Sequence, residues 1–290
     1  MPLTLQPLHP FAAQASGVDI TRPLDAATVR AIETGMDQHA VLVFRNQPLT
    51  QDQQIAFARH FGPLDVGFGK IKGGPHRLQY RELGDISNVG LDESVAARDS
   101  QKIVGNIANQ LWHSDSSFQH PRAKYSMLSA VVVPAVGGDT EFADLRLAYD
   151  ALPAWQKSRI AGLVAKHHSL HSRFMLGDTH YSDEQRSLIK PAHWPLVQTD
   201  PRTSRKILFI GSHACEIEGM TVAEGRLLIM DLLEHATQRE FVYRHVWQTG
   251  DLVMWDNTAT VHRGRHFDLG QRRELRRATT EEVAAEKVPA

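Results

Sequence analysis

Between Glu240 and Thr280 the chain alternates apolar and polar residues in three successive runs: EFVYRHVW, then LVMWDN after a Thr-Gly-Asp turn, then RRELRRATT. Successive side chains of a strand point to opposite faces, so this alternation is what half-buried strands require. KYSMLSAVVVP, DTEFAD and RKILFIGS also read as strands, and VLVF (Val41 to Phe44) as a fully buried one. Helical signals are fewer. Val29, Ile32, Met36 and Ala40 recur at helical spacing after Asp25, and LRLAYDALPAWQKSRIAGLVAKH predicts a helix interrupted near Pro153. Thr50 with Gln53, and Thr221 with Glu224, have capping-box spacing and predict two more. Regular βαβ alternation is absent, as are the Gly-x-Gly-x-x-Gly fingerprint, the P-loop and the Gly-x-Ser-x-Gly elbow. The expected fold is mostly β, a barrel or sandwich core decorated by helices.

Two stretches stand apart. Residues 66–100 are polar and glycine-rich and too long for a plain connection, which fits either a lid or binding loop or a surface loop. Residues 172–193 read as an irregular insert. The 290 residues suit one large domain or two small ones. A formal net charge of -1 argues against a nucleic-acid or acidic-membrane partner. The lone Cys215 excludes an internal disulfide and fits a reducing compartment. The start, MPLTLQPLHPF, lacks the marks of a signal peptide, and no apolar run is long enough for a membrane span. A cytoplasmic protein is expected.

The stretch NQLWHSDSSF sets His113 and Asp115 two residues apart, where a strand would aim both at one ion. The signal is weak, since composition alone supplies roughly one His-x-Asp pair and a second exists at His266 and Asp268. Two histidines and a carboxylate on one side of an ion form the facial triad of non-haem Fe(II) oxygenases. The distant third ligand would be His262, in MWDNTATVHRGRHFD. Downstream, Arg273 and Arg277 are four apart, so in a strand they share a face with Leu275 between them. Arginines aimed into a core need anionic partners, and two suggest two anions. RRELRR also fits a solvated, charged edge strand. His167, His168 and His171 read as strand and loop surface, and Trp112 and Trp255 as core.

With these residues in view, the chain resembles the Fe(II)- and 2-oxoglutarate-dependent dioxygenases of the taurine dioxygenase group. Within that group it is most similar to the branch acting on aryloxyacetates such as 2,4-dichlorophenoxyacetate. The likeness runs through VLVFRNQPLTQDQQIAFARHFGPL, NQLWHSDSSF, GGDTEFAD, EGRLL, LLEHATQREFVYRHVW, GDLVMWDN, HRGR and RRELRRATT, nearly the whole chain.

The resemblance implies one dioxygenase domain over residues 1–290, with a double-stranded β-helix, or jelly-roll, core. It implies Fe(II) on His113, Asp115 and His262, and sets His266 and Asp268 aside. It implies 2-oxoglutarate held by Arg273 and Thr140 with Trp255 nearby, and a small carboxylate substrate held by Arg277 with Asn109 nearby. Lys70, in the glycine-rich stretch, is the candidate second cation over that carboxylate. O2 is the further co-substrate, with ascorbate helpful in the test tube, and a homo-oligomer, dimer or tetramer, is expected. Halogenating relatives carry a small residue where this chain has Asp115, so hydroxylation is implied. The rivals are an alkylsulfonate or taurine dioxygenase, a zinc hydrolase on the same three ligands, and a non-catalytic jelly-roll protein that binds a small acid.

Overall fold

The computed structural model describes residues 2–66 and 75–283. Lys70 lies outside them. The larger sheet has seven strands, in the order β1 (Thr4–His9), β2 (Ala12–Ser16), β3 (Val41–Phe44), β13 (Leu252–Asp256), β5 (Ala123–Val132), β15 (Glu274–Glu281) and β4 (Leu83–Ser87). Every pairing in it is antiparallel except β2 with β3. A three-stranded sheet of β12 (Val242–His245), β6 (Thr140–Asp144) and β14 (Thr260–Gly264) faces it. Phe142 of β6 meets Trp255 of β13 across the gap, ring centroids 5.4 Å apart, and both are fully buried. Val41, Val253, Leu128 and Leu275 complete this apolar layer. Two largely antiparallel sheets packed on one layer form the expected jelly-roll core.

A further sheet of β7 (Val164–His167), β8 (Ala192–Pro195) and β11 (Ala214–Ile217) lies beyond, with a short pair, β9 (Val197–Thr199) and β10 (Lys206–Leu208). A second apolar cluster joins these strands to helix Val222–Ala236 through Phe209, Leu228 and Leu232.

Local chemistry explains the helix starts. The Asp25 carboxylate accepts from Thr28 N at 2.7 Å and opens Ala26–His39. Thr50 with Gln53 and Thr221 with Glu224 both form complete capping boxes. The predicted helix after Asp144 breaks at Pro153 into Leu145–Ala151 and Ala154–Ile160. Its predicted tail is strand β7 instead: Gly162, at φ +78°, turns the chain before the run Val164–His167.

Four further readings change. Residues 66–100 contain β4, fixed to β15 by Arg77, which bridges Asp85 at 2.9 Å and Glu274 at 2.8 Å. The insert at 172–193 holds helix Asp183–Leu188, opened by a capping box of Ser182 and Gln185, and most of helix Ser169–Met175. RRELRR is not an edge, because β15 is paired on both sides. His167 is not surface: it is buried, its Nδ1 is 3.2 Å from Ser117 Oγ, and its ring stacks on Phe209.

Burial pushes the His167 imidazole down to about 3, against an ordinary value of 6.5. The folded state therefore refuses a proton that the unfolded chain accepts below pH 6.5. Stability present above that pH is lost as pH falls from 6.5 toward 3, by up to about 1.4 kcal/mol per pH unit. Substituting His167→Phe keeps the ring stack and removes the titration. Melting temperature measured between pH 7 and pH 5 should then fall less steeply than in the parent; an unchanged slope would contradict this account.

Candidate active site

The site forms where the two sheets meet the loop after helix Gln101–Ile107. His113 is not in a regular strand. It forms an isolated antiparallel bridge with His262 of β14: His113 N donates to His262 O at 3.0 Å, and His262 N donates to His113 O at 2.8 Å. Residues paired in this way point their side chains to the same side. The two imidazoles accordingly sit with centroids 4.2 Å apart. Asp115 reaches them from a turn rather than by strand alternation, and the next residue, Ser116, takes φ 48°. Its carboxylate faces both rings, with Oδ1 3.8 Å from His113 Nε2 and Oδ2 3.7 Å from His262 Nε2.

These gaps are too long for hydrogen bonds and suit donors gathered round one ion. The ligand atoms of the three residues all lie within 4.8 Å of one another. His113 Nδ1 donates to Leu111 O at 2.7 Å, which fixes its tautomer and leaves the Nε2 lone pair exposed. Burial pushes both imidazoles down, His262 well below its usual range, so each is neutral and able to ligate. Burial opposes charge on Asp115, but the Arg277 guanidinium leads the contacts that offset it and hold the carboxyl at about 2. Two neutral imidazoles and an ionised carboxylate fit a divalent transition metal.

A network behind the donors, unforeseen from sequence, holds them in place. Ser126 Oγ donates to Asp115 Oδ2 at 2.7 Å and is contacted by Asn257 Nδ2 at 2.9 Å. Asn257 Oδ1 accepts from Asp115 N and from Trp255 Nε1, both at 3.0 Å. Trp255 packs its ring 4.6 Å from that of His262, so it serves as wall and anchor together. Ser126 lies on the predicted strand KYSMLS and Asn257 directly follows LVMWD, but neither residue type marks a role by itself.

An open cleft leads to the histidines. Thr140, Trp255, Arg273, Arg277 and Asn109 all line it, whereas His266 and Asp268 line a separate depression. Thr140 Oγ1 accepts from Trp247 Nε1 at 3.0 Å, leaving the hydroxyl proton to donate elsewhere. Arg273 is buried and donates through Nη2 to Gly138 O at 2.9 Å, while its Nε has no partner among the described residues. Gly138, at φ +73°, has no room for a side chain, since an added Cβ would lie 3.0 Å from Arg273 Nε. Burial lowers the Arg273 guanidinium to about 10, still charged at neutral pH. Such an arginine, beside a free hydroxyl donor, is built to receive a carboxylate. Arg277 donates through Nη1 to Asp115 Oδ1, which ties it to the metal-ligand set. Asn109 sits on the short 3-10 turn Ala108–Gln110.

Replacing Asn257 with Ala should leave the three donors in place but loosen Asp115, weakening Mn(II) binding about 10- to 100-fold by calorimetry. Unchanged affinity would show that this network does not orient the carboxylate.

The chain is similar to known proteins over nearly its whole length. Over 281 residues the chain is 62% identical to the alpha-ketoglutarate-dependent 2,4-dichlorophenoxyacetate dioxygenase of Cupriavidus pinatubonensis, covering 97% of this chain and 98% of the relative. It is 59% identical to the protein of the same name from a Burkholderia species, covering 97% and 95%. The crystal structure of AAD-2 in complex with Mn(II) and N-oxalylglycine superposes with a TM-score of 0.90 at 46% identity, covering 98% of each chain. The model of the taurine catabolism dioxygenase TauD, TfdA family matches residues 4–279, and the chain belongs to that family.

Proposed function

We propose that this chain is an Fe(II)- and 2-oxoglutarate-dependent dioxygenase that hydroxylates the side-chain CH2 of aryloxyacetates such as 2,4-dichlorophenoxyacetate. The observation that carries the reading is one cleft offering two arginines beside a His-Asp-His donor set. Two anions at one metal are what the reaction brings together: the co-substrate and an acid. The identity to aryloxyacetate-cleaving relatives supports the substrate class.

In this reading His113, Asp115 and His262 hold the iron, which when bound supplies the chemistry that couples O2 and the decarboxylation of 2-oxoglutarate to C–H oxidation. Arg273 grips the far carboxylate of 2-oxoglutarate with its planar fork and Thr140 donates its hydroxyl to the same group. Trp255 walls that end of the cleft. Arg277 holds the substrate carboxylate, so that the CH2 between carboxylate and ether oxygen faces the metal, and Asn109 borders the substrate. Orientation of this kind carries much of a rate, because reacting atoms must stay within near-attack distance. The products follow from the bonds. One oxygen atom enters succinate as CO2 leaves, and the other replaces a hydrogen of the CH2 as hydroxyl. The hemiacetal so formed releases the phenol, which takes the proton, and leaves glyoxylate.

A taurine- or alkylsulfonate-type enzyme would use Arg277 in the same way. Ile86, Ile103, Ile107 and Leu128 make the cleft wall apolar, which favours an aromatic ring over taurine's charged amine. A zinc hydrolase would leave Arg273 and Thr140 without work, and a simple binding protein would leave the donor set idle. We also infer a homo-oligomer, in keeping with exposed Leu227 and Met230 on helix Val222–Ala236. A cytoplasmic location fits the single, buried, unpaired Cys215. No described helix is long and apolar enough to cross a membrane.

Purified protein incubated with Fe(II), ascorbate, 2-oxoglutarate and 2,4-dichlorophenoxyacetate should release phenol and succinate in equal amounts, and taurine in parallel should release neither product pair. Succinate with taurine alone would move the substrate to sulfonates. His262→Ala should abolish turnover, and an active variant would remove the metal assignment. Arg277→Gln should raise KM for the aryloxyacetate about 10- to 100-fold while KM for 2-oxoglutarate holds; equal loss of both would overturn its role.

A further inference from the structure

Beside the main cleft lies a smaller cavity that shares His113, Asn109 and Arg277 with it. Phe118, Ser172, Arg173 and His213 line this second cavity and not the first. Arg173 stands on helix Ser169–Met175, where the sequence reads as an irregular insert. Its Nη1 donates to the carbonyl of Gly105, on helix Gln101–Ile107. Among the described residues it forms no salt bridge, though Tyr181 and Asp178 partly offset the burial of its charge. Asp178, five residues on, instead accepts from the Tyr181 hydroxyl at 3.1 Å. A guanidinium sunk in a pocket wall beside a second arginine, with no salt bridge of its own, is costly unless an anion visits it.

We propose that Arg173 is a second arginine on the substrate carboxylate, acting with Arg277 to select monoanionic aryloxy acids over neutral aryl ethers. The inference rests on the aryloxyacetate reading and says how the acid is recognised. The bond to Gly105 has a second effect. Ile103 and Ile107, on the helix that Arg173 holds, form part of the apolar wall of the main cleft. Binding of the acid end and placement of that wall thus pass through one side chain.

The test uses the full-length protein loaded with Fe(II) and 2-oxoglutarate in the absence of O2. Dissociation constants for phenoxyacetate and for phenoxyethanol, which has the same ring and ether but no charge, are measured by calorimetry. In the parent the acid should bind more tightly. Arg173→Gln, which removes the charge and keeps a polar side chain, should cut the acid-to-alcohol preference about tenfold, and Arg173→Lys should restore part of it. If both ligands weaken equally, or the preference is unchanged, Arg173 acts only as a structural tie and the proposal is overturned. Turnover of 2,4-dichlorophenoxyacetate by the parent, assayed in parallel, tests the aryloxyacetate reading separately, because the binding ratio needs no turnover.

Discussion

The reciprocal backbone bridge between His113 and His262 is the contact on which the site depends. It joins a loop to strand β14 by two hydrogen bonds, at 2.8 and 3.0 Å, and so sets two imidazoles side by side. Asp115 then needs only a turn to face them. Its backbone N–H and its carboxylate are each caught, by Asn257 and Ser126, and the first of these partners also takes the Trp255 indole. The cost of gathering buried polar groups is offset because nearly every member of this group has a partner.

The two sheets divide the work. The smaller contributes His262 and Thr140, and the larger contributes Trp255, Ser126 and Arg277. The apolar layer between them, centred on Phe142 and Trp255, fixes the distance between the contributions. The segment around β4 closes one side of the cleft with Ile86, Ser87 and Asn88. Asn88 does more than line it: its Oδ1 accepts from Arg273 N at 2.8 Å, holding the backbone of the buried cleft arginine. Arg77, Asp85 and Glu274 lock that segment to the adjoining strand, so the wall and the arginine move as one unit.

Much of this was legible in the sequence because it depends on local chemistry. Asp25, Thr50 and Thr221 start their helices through bonds reaching three residues, and period-two alternation marked β12, β13 and β15. The even spacing of Arg273 and Arg277 put both on one cleft. What escaped was set by distant contacts. His167 lies in a run of histidines that looks like surface until β7 is seen packed against Phe209. His113 and Asp115 converge through a partner far along the chain and a turn, not through a strand of their own. The role of Asn257 and Ser126 exists only once β13 and β5 are side by side. Arg173 sat in a stretch without periodicity, where nothing local indicates that it borders the same cavity as Arg277. The family resemblance carried the ligand assignment further than spacing could, since His-x-Asp occurs twice.

The central claim is that one cleft assembles metal, co-substrate and acid side by side. Anaerobic calorimetry of 2-oxoglutarate binding, with and without saturating Mn(II) as a redox-stable stand-in for Fe(II), tests it most directly. The account predicts one 2-oxoglutarate per chain with the metal present and binding weakened about a hundredfold or more without it, as the loss of direct coordination requires. Equal affinity in the two titrations would place 2-oxoglutarate away from His113, Asp115 and His262, and would contradict the account.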